Sequence, residues 1–306
     1  MKPGRGPGRL LAAGATLLLV LLLTACALAP IAPPPVPEPP PVVQPIPKKP
    51  PRIGLALGGG AARGFAHIGV IQVLEEAGIR PSLVVGTSAG SLVAALYASG
   101  KNGAQLQQVA ELMEEATFAD WTLPIFSRGM LRGEALARYV SAQVNGRVIE
   151  AMPLPLGIVA TDLNSGQGML FQRGDTATAV RASSAVPALF QPVRISGRDY
   201  VDGGLVSPVP VRYARQMGAE LIIAVDISDT PESNPASDTL QVLLQTFSIM
   251  GKSINAFELR DAEVVVRPAL IGVSSADFGA RRSAIEAGRV AMRAALPQLR
   301  AALARQ

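Results

Sequence analysis

An α/β fold built around a parallel sheet is what this sequence predicts, and three observations carry the prediction. Ile53–Leu57 and Leu83–Val85 are short apolar runs of the kind that form buried strands. Between them, Ile68, Ile71 and Leu74 keep a helical spacing up to a stop at Gly78. Strand, crossover helix and strand make a βαβ unit, whose two strands run parallel.

The chain opens on a targeting segment. Lys2, Arg5 and Arg9 precede an apolar run, Leu10–Leu23, which is too short to span a bilayer and suits a signal peptide. The run ends in Leu23-Thr24-Ala25-Cys26, with small residues where a peptidase cuts. This end resembles a bacterial lipoprotein signal. The resemblance implies removal of residues 1–25, lipidation of Cys26 and anchorage in the cell envelope. Ala27, in place of the aspartate associated with inner-membrane retention, implies the outer membrane, facing the periplasm. Cys26 is the sole cysteine, so no disulfide forms within the chain.

Residues 26–51 read as a tether, since prolines dominate from Pro30 to Pro51 and almost nothing there can build a core. An extended polyproline segment of this kind, at ~3.1 Å per residue, holds a domain on the order of 60–70 Å from its anchor. Residues 52–306 then form one folded domain with a C-terminal helical extension; the chain is 49% hydrophobic, enough for a sizeable core. Of the net charge of +5, Lys2, Arg5 and Arg9 supply three, and so small a surplus argues against nucleic acid as a partner.

Within the domain, Gln105 to Met152 reads as helix and loop. It carries a cluster of Phe118, Trp121, Leu123, Ile125 and Phe126, consistent with core packing or with a lid that admits lipid. Strand signals return at Leu156–Thr161, Met169–Phe171, Val193–Ile195, Arg198–Val201, Leu221–Val225 and Val264–Val266. Leu240–Leu259 reads as a long helix, and another starts near Arg281 and is interrupted at Pro297. In that last helix Arg282, Arg289 and Arg293 form a stripe beside Ile285 and Met292. Two readings fit it: a face resting on anionic headgroups, or a helix packed on the sheet with a solvated basic edge.

The chemistry centres on Gly86-Thr87-Ser88-Ala89-Gly90. A strand that meets Gly-x-Ser-x-Gly and passes at once into an Ala/Leu-rich helix is the sequence form of a nucleophile elbow. Gly86 and Gly90 let strand and helix approach closely, and Ser88 is lifted onto a helix N-terminus. Unpaired N–H groups and a positive dipole end collect there. A second glycine-rich loop, Gly58-Gly59-Gly60-Ala61-Ala62-Arg63-Gly64, follows the first strand. It fails as a dinucleotide fingerprint, because Arg63 stands at the third glycine position and no acidic ribose contact ends the second strand. Consecutive glycines at a strand end instead expose N–H groups to an oxyanion, with the Ala89 N–H as the other half.

A serine nucleophile needs a base. The single histidine, His67, precedes the serine, and only Lys101 and Lys252 follow it among lysines. Asp202 is the best remaining candidate: Tyr200-Val201 leads into it, and Gly203-Gly204 permits a tight turn beside it. His67 reads as a packing or hydrogen-bonding helix residue.

Gly-Gly-Gly-x-x-Arg-Gly, Gly-x-Ser-x-Gly and Asp-Gly-Gly, in that order, resemble the signature of the patatin-like phospholipases. Ala66-His67-Ile68-Gly69-Val70, Ala182-Ser183-Ser184-Ala185-Val186-Pro187 and Pro208-Val209-Pro210 are similar as well, so the likeness covers roughly Arg52 to Asp226. It implies a three-layer α/β/α sandwich with a mainly parallel central sheet and a Ser88–Asp202 dyad. It also implies an oxyanion hole from Gly58, Gly59, Gly60 and Ala89 with Arg63 nearby. Phospholipid or lysophospholipid acyl esters are the implied substrates, with no metal and no cofactor. A low-turnover lipid-binding module and an esterase or thioesterase for soluble substrates remain the alternatives.

Overall fold

The computed structural model describes residues 50–114, 120, 128–228, 237–274 and 277–305. The signal segment, Cys26, most of the tether and the Phe118–Phe126 aromatic cluster lie outside the described residues. In chain order the elements are β1 (Ile53–Leu57), α1 (Ala66–Glu76), β2 (Leu83–Thr87), α2 (Ala89–Ala98), α3 (Gly103–Glu111), β3 (Gly129–Leu131) and α4 (Glu134–Gln143). There follow β4 (Leu156–Asp162), β5 (Gly168–Phe171), α5 (Thr176–Ser183), β6 (Ala188–Phe190), β7 (Val193–Ile195), β8 (Arg198–Asp202) and α6 (Val211–Gln216). The chain closes with β9 (Leu221–Val225), α7 (Thr239–Glu258), β10 (Val264–Val266) and α8 (Arg281–Arg305).

The main sheet has the order β10-β9-β1-β2-β4-β8-β7, and β5 also pairs with β4. The five strands from β10 to β4 are parallel, as the βαβ pattern predicts. β5, β7 and β8 run antiparallel to their neighbours, so the sheet is mixed but mostly parallel. Its two faces separate by the period of two along each strand. Leu55 and Leu57 pack on the side of α1, α2 and α8, whereas Ala56 packs against Val211, Tyr213 and Ala214 of α6. Helices on both faces make three layers, as the resemblance implies.

Some elements escaped the sequence. β3 and β6 form a separate two-stranded parallel sheet, and strands of three residues carry too few alternations to be seen. The helices α5 and α6 are short and were equally silent. The expected break at Pro297 does not occur: α8 runs through it to Arg305. A helix-interior proline costs on the order of 3 kcal/mol. Burial of Met292, Leu299 and Ala302 along the same helix offsets it.

α8 also settles the meaning of its arginines. It crosses α1 so closely that a Cβ on Gly69 would lie 1.9 Å from the Ile285 carbonyl oxygen, and one on Gly288 2.0 Å from that of Ala66. Ile285 and Met292 are buried in this contact. Arg289 donates to Gln72 Oε1 at 2.7 Å and Gln107 Oε1 at 3.0 Å, and Arg293 pairs with Glu76 at 3.4 Å. Arg289 and Arg293 thus form a polar seam between packed helices, and Arg282 is exposed.

Candidate active site

Register brings the two glycine motifs together. Leu57 pairs with Gly86 across parallel β1 and β2, so the Gly58–Gly64 loop and the Ser88 turn leave the sheet side by side at strand C-terminal ends. Ser88 adopts φ 52° and ψ −124°, a conformation costly for a residue with a Cβ, and its side chain does not cap α2. Surrounding bonds hold that strain in place. The Ser88 N–H donates to Ser183 Oγ at 2.9 Å, and Ser183 in turn donates to the Val159 carbonyl. Ser91 Oγ donates to the Ser88 carbonyl at 2.6 Å, and Thr87 Oγ1 to that of Ser207 at 2.9 Å. Gly90 is obligatory here, because a Cβ would sit 2.1 Å from the Leu57 carbonyl oxygen. Ser183 was missed as a support residue, although its segment was marked by the resemblance.

Asp202 ends β8, opposite Ala160 of β4. Its backbone is pinned on both sides: its N–H donates to the Ala185 carbonyl at 2.9 Å, and its carbonyl accepts from Thr161 Oγ1 at 2.8 Å. A Cβ on Gly203 would lie 2.2 Å from the Val159 carbonyl oxygen, so the turn after Asp202 tolerates only glycine there. The carboxylate accepts from the Gly204 N–H at 2.7 Å, and the Ser88 hydroxyl lies near enough to favour its charged form. Burial pushes its pKa up to about 6, against the pull of both groups. Asp202 is therefore ionised at neutral pH yet a stronger base than an exposed aspartate.

The glycine loop departs from expectation. The Gly58 N–H donates to the Val225 carbonyl at 3.0 Å and the Gly59 N–H to that of Pro208 at 2.9 Å, so neither is offered to an oxyanion. Gly59 contributes by lacking a side chain: a Cβ there would lie 3.1 Å from Ser88 Cβ and 3.9 Å from Ser88 Oγ. Among the described residues, the Gly60 and Ala89 N–H groups have no acceptor. Arg63 is turned away from the oxyanion position assigned to it. Its buried guanidinium donates through Nε to the Ile227 carbonyl and through Nη2 to that of Ser228, each at 2.9 Å, and braces the loop against the segment after β9.

His67 is fully buried, and its Nε2 lies 2.8 Å from the Gly58 carbonyl. A carbonyl only accepts, so Nε2 carries the proton. Burial lowers the imidazole pKa to about 4, with the Gly58 bond opposing, and the ring is neutral at pH 7. No group of three or more His, Cys, Asp or Glu side chains among the described residues is placed to hold a metal.

Known proteins resemble this chain. An uncharacterized NTE family protein of Mycobacterium tuberculosis is 38% identical over 188 residues, 61% of this chain and 52% of its own length. The patatin-like phospholipase domain-containing protein 6 of Mus musculus is 35% identical over 190 residues, 60% of this chain and 14% of that protein. The chain thus spans about half the length of the mycobacterial relative it matches. The crystal structure of VipD from Legionella pneumophila superposes with a TM-score of 0.50 at 16% identity, covering 81% of this chain and 67% of that one, a likeness of fold. The profile of the patatin-like phospholipase family matches residues 55–215, which hold the glycine loop, Ser88 and Asp202, and the chain belongs to that family.

Proposed function

We propose that this protein hydrolyses fatty-acyl esters of phospholipids or lysophospholipids through Ser88 and Asp202. One observation carries the reading: a strained serine at a strand–helix turn stands beside a buried carboxylate of raised basicity. Asp202 takes the hydroxyl proton as Ser88 Oγ attacks the ester carbonyl. The developing oxyanion is held by the Gly60 and Ala89 N–H groups at the positive end of α2. Collapse breaks the acyl C–O bond, and the proton on Asp202 passes to the departing alcohol oxygen. Water, deprotonated by the same carboxylate, then attacks the acyl-serine and frees the fatty acid and Ser88. The names of the family and of the mouse relative support the substrate class. Lipidation at Cys26, outer-membrane anchorage and the proline tether belong to the same proposal: the domain works on acyl lipids at an envelope surface.

Lipid-product analysis tests it. Wild type releases free fatty acid from phospholipid or lysophospholipid, and Ser88→Ala does not. Identical products from both proteins overturn the serine mechanism. Faster turnover of soluble esters than of micellar ones, lost on both in Ser88→Ala, overturns the lipid assignment alone.

A further inference from the structure

α7 turns a broad apolar face outward. At ~100° per residue, Val242, Leu243, Ile249, Met250 and Phe257 fall within an arc of about 120°. That arc faces outward: these five side chains are exposed, Ile249 at 51%, Met250 at 51% and Phe257 at 68%. On the opposite side the buried positions are Gly251, Asn255 and Glu258, small or polar, with Leu244, Phe247 and Ile254 half-buried around them. A helix on a water-soluble surface ordinarily does the reverse.

The inner stripe has a reason to be polar. Asn255 accepts from the Val209 N–H at 3.2 Å and donates to Ser228 Oγ at 2.9 Å, and Glu258 accepts from Ser207 Oγ at 2.6 Å. The Ser207 carbonyl holds Thr87, and the Pro208 carbonyl holds the Gly59 N–H. α7 is thereby bonded to the segment that fixes both the glycine loop and the Ser88 turn.

The outer face suits hydrocarbon below and anionic headgroups at its edge. Its two hydroxyls are satisfied within the helix: Thr246 donates to the Val242 carbonyl at 2.9 Å and Ser253 to that of Ile249 at 3.3 Å. Lys252 is the only charged residue from Thr239 to Phe257, and it flanks the arc. Arg260 follows with its guanidinium 5.0 Å over the Phe257 ring. No described helix is long and apolar enough to cross a membrane, so α7 would lie in the interface plane.

We propose that α7 is a membrane-docking helix that lays Val242, Leu243, Ile249, Met250 and Phe257 into the headgroup–acyl boundary of an anionic lipid surface. This rests on the lipid-hydrolase reading for its purpose. Docking through α7 would tether to the lipid surface the residue 207–209 segment that holds Thr87 and Gly59 beside Ser88. In the C-terminal helix the apolar Ile285 and Met292 are buried against the fold, and Arg289 and Arg293 are engaged by α1 and α3.

Tryptophan quenching tests docking apart from catalysis. The full chain carries Ser88→Ala and Trp121→Phe, with the single reporter at Met250→Trp or, as control, at Arg300→Trp. Vesicles of brominated phosphatidylcholine with phosphatidylglycerol should blue-shift and quench the first reporter and leave the second unchanged. No quenching at the first with chain bound to the vesicles overturns the proposal, as does a blue shift without lipid in a dimer, which would give the face to a second copy. In the active protein, Ile249→Gln/Met250→Gln/Phe257→Gln should cut vesicle hydrolysis by about tenfold or more while a monomeric short-chain ester is turned over as before. Equal rates on vesicles overturn the docking role. Absence of hydrolysis of either ester by the wild type would fail the enzyme reading and leave the quenching result to stand.

Discussion

The His67 imidazole donates from Nε2 to the Gly58 carbonyl at 2.8 Å, which commits the chain's single histidine to the glycine loop and leaves Ser88 to Asp202. Ser88→Ala and Asp202→Asn should therefore each lower kcat by about 10³-fold or more, and the double variant should be no slower than either. His67→Ala should cost less than about tenfold. Steady-state kinetics on one ester checks all four, and a His67→Ala loss equal to that of Ser88→Ala would move the base to histidine.

The rate should follow the ionisation of Asp202. Because the carboxylate is the base and burial raises its pKa to about 6, kcat/KM should climb with pH through about 6 and then level off. A profile flat from pH 5 to 8 would show that Asp202 is not the titrating base.

Stability holds a hidden pair of slopes. Asp202, with its folded pKa raised from 3.8 to about 6, binds a proton more tightly when folded, so its contribution falls as pH rises from about 4 to 6. His67, lowered from 6.5 to about 4, resists protonation when folded, so its contribution rises across nearly the same window. Each amounts to roughly 3 kcal/mol, and in the wild type they nearly cancel. Asp202→Asn should unmask a rise in stability between pH 4 and 6.5, and His67→Gln a fall. Urea unfolding of both variants across that range decides it.

Arg63 should act through position. Arg63→Lys keeps the charge but not the planar pair of donors on the Ile227 and Ser228 carbonyls. It should lower kcat by about tenfold or more, with KM for a short-chain ester little changed. Wild-type kinetics from the lysine variant would show that the loop does not depend on this brace.

Gly288→Ala should destabilise the fold by about 3 kcal/mol or more, since its Cβ would lie 2.0 Å from the Ala66 carbonyl oxygen. Thermal unfolding reports it directly. A Tm within a degree or so of wild type would mean that α1 and α8 can part without cost.

Cys26→Ala should leave the chain unprocessed or released, because an acyl anchor needs that thiol. Membrane fractionation checks it: a processed variant that still sediments as wild type does would refute lipidation at Cys26.

What the amino-acid sequence determined was local. Ile53–Leu57, the Gly-x-Ser-x-Gly turn and Asp-Gly-Gly announce themselves because strand periodicity, small residues and turn chemistry act over a few positions. Asp202 as the candidate base for Ser88 also came from the sequence, by elimination of the histidine and the lysines. The tertiary structure decided which groups those motifs leave available. Gly58 and Gly59 look identical to Gly60 in sequence, yet only Gly60 keeps a spare N–H, because Val225 and Pro208 arrive from distant parts of the chain to accept from the other two. Arg63 reads in sequence either as an oxyanion partner or as a hydrogen-bonding brace of its loop, and the carbonyls after β9 decide for the brace. In sequence α7 reads only as a long helix; its bonds to Ser207 and Val209 decide that the Val242–Phe257 face points outward. Spacing encodes which residues share a face, but which face the protein covers depends on partners that only folding brings near.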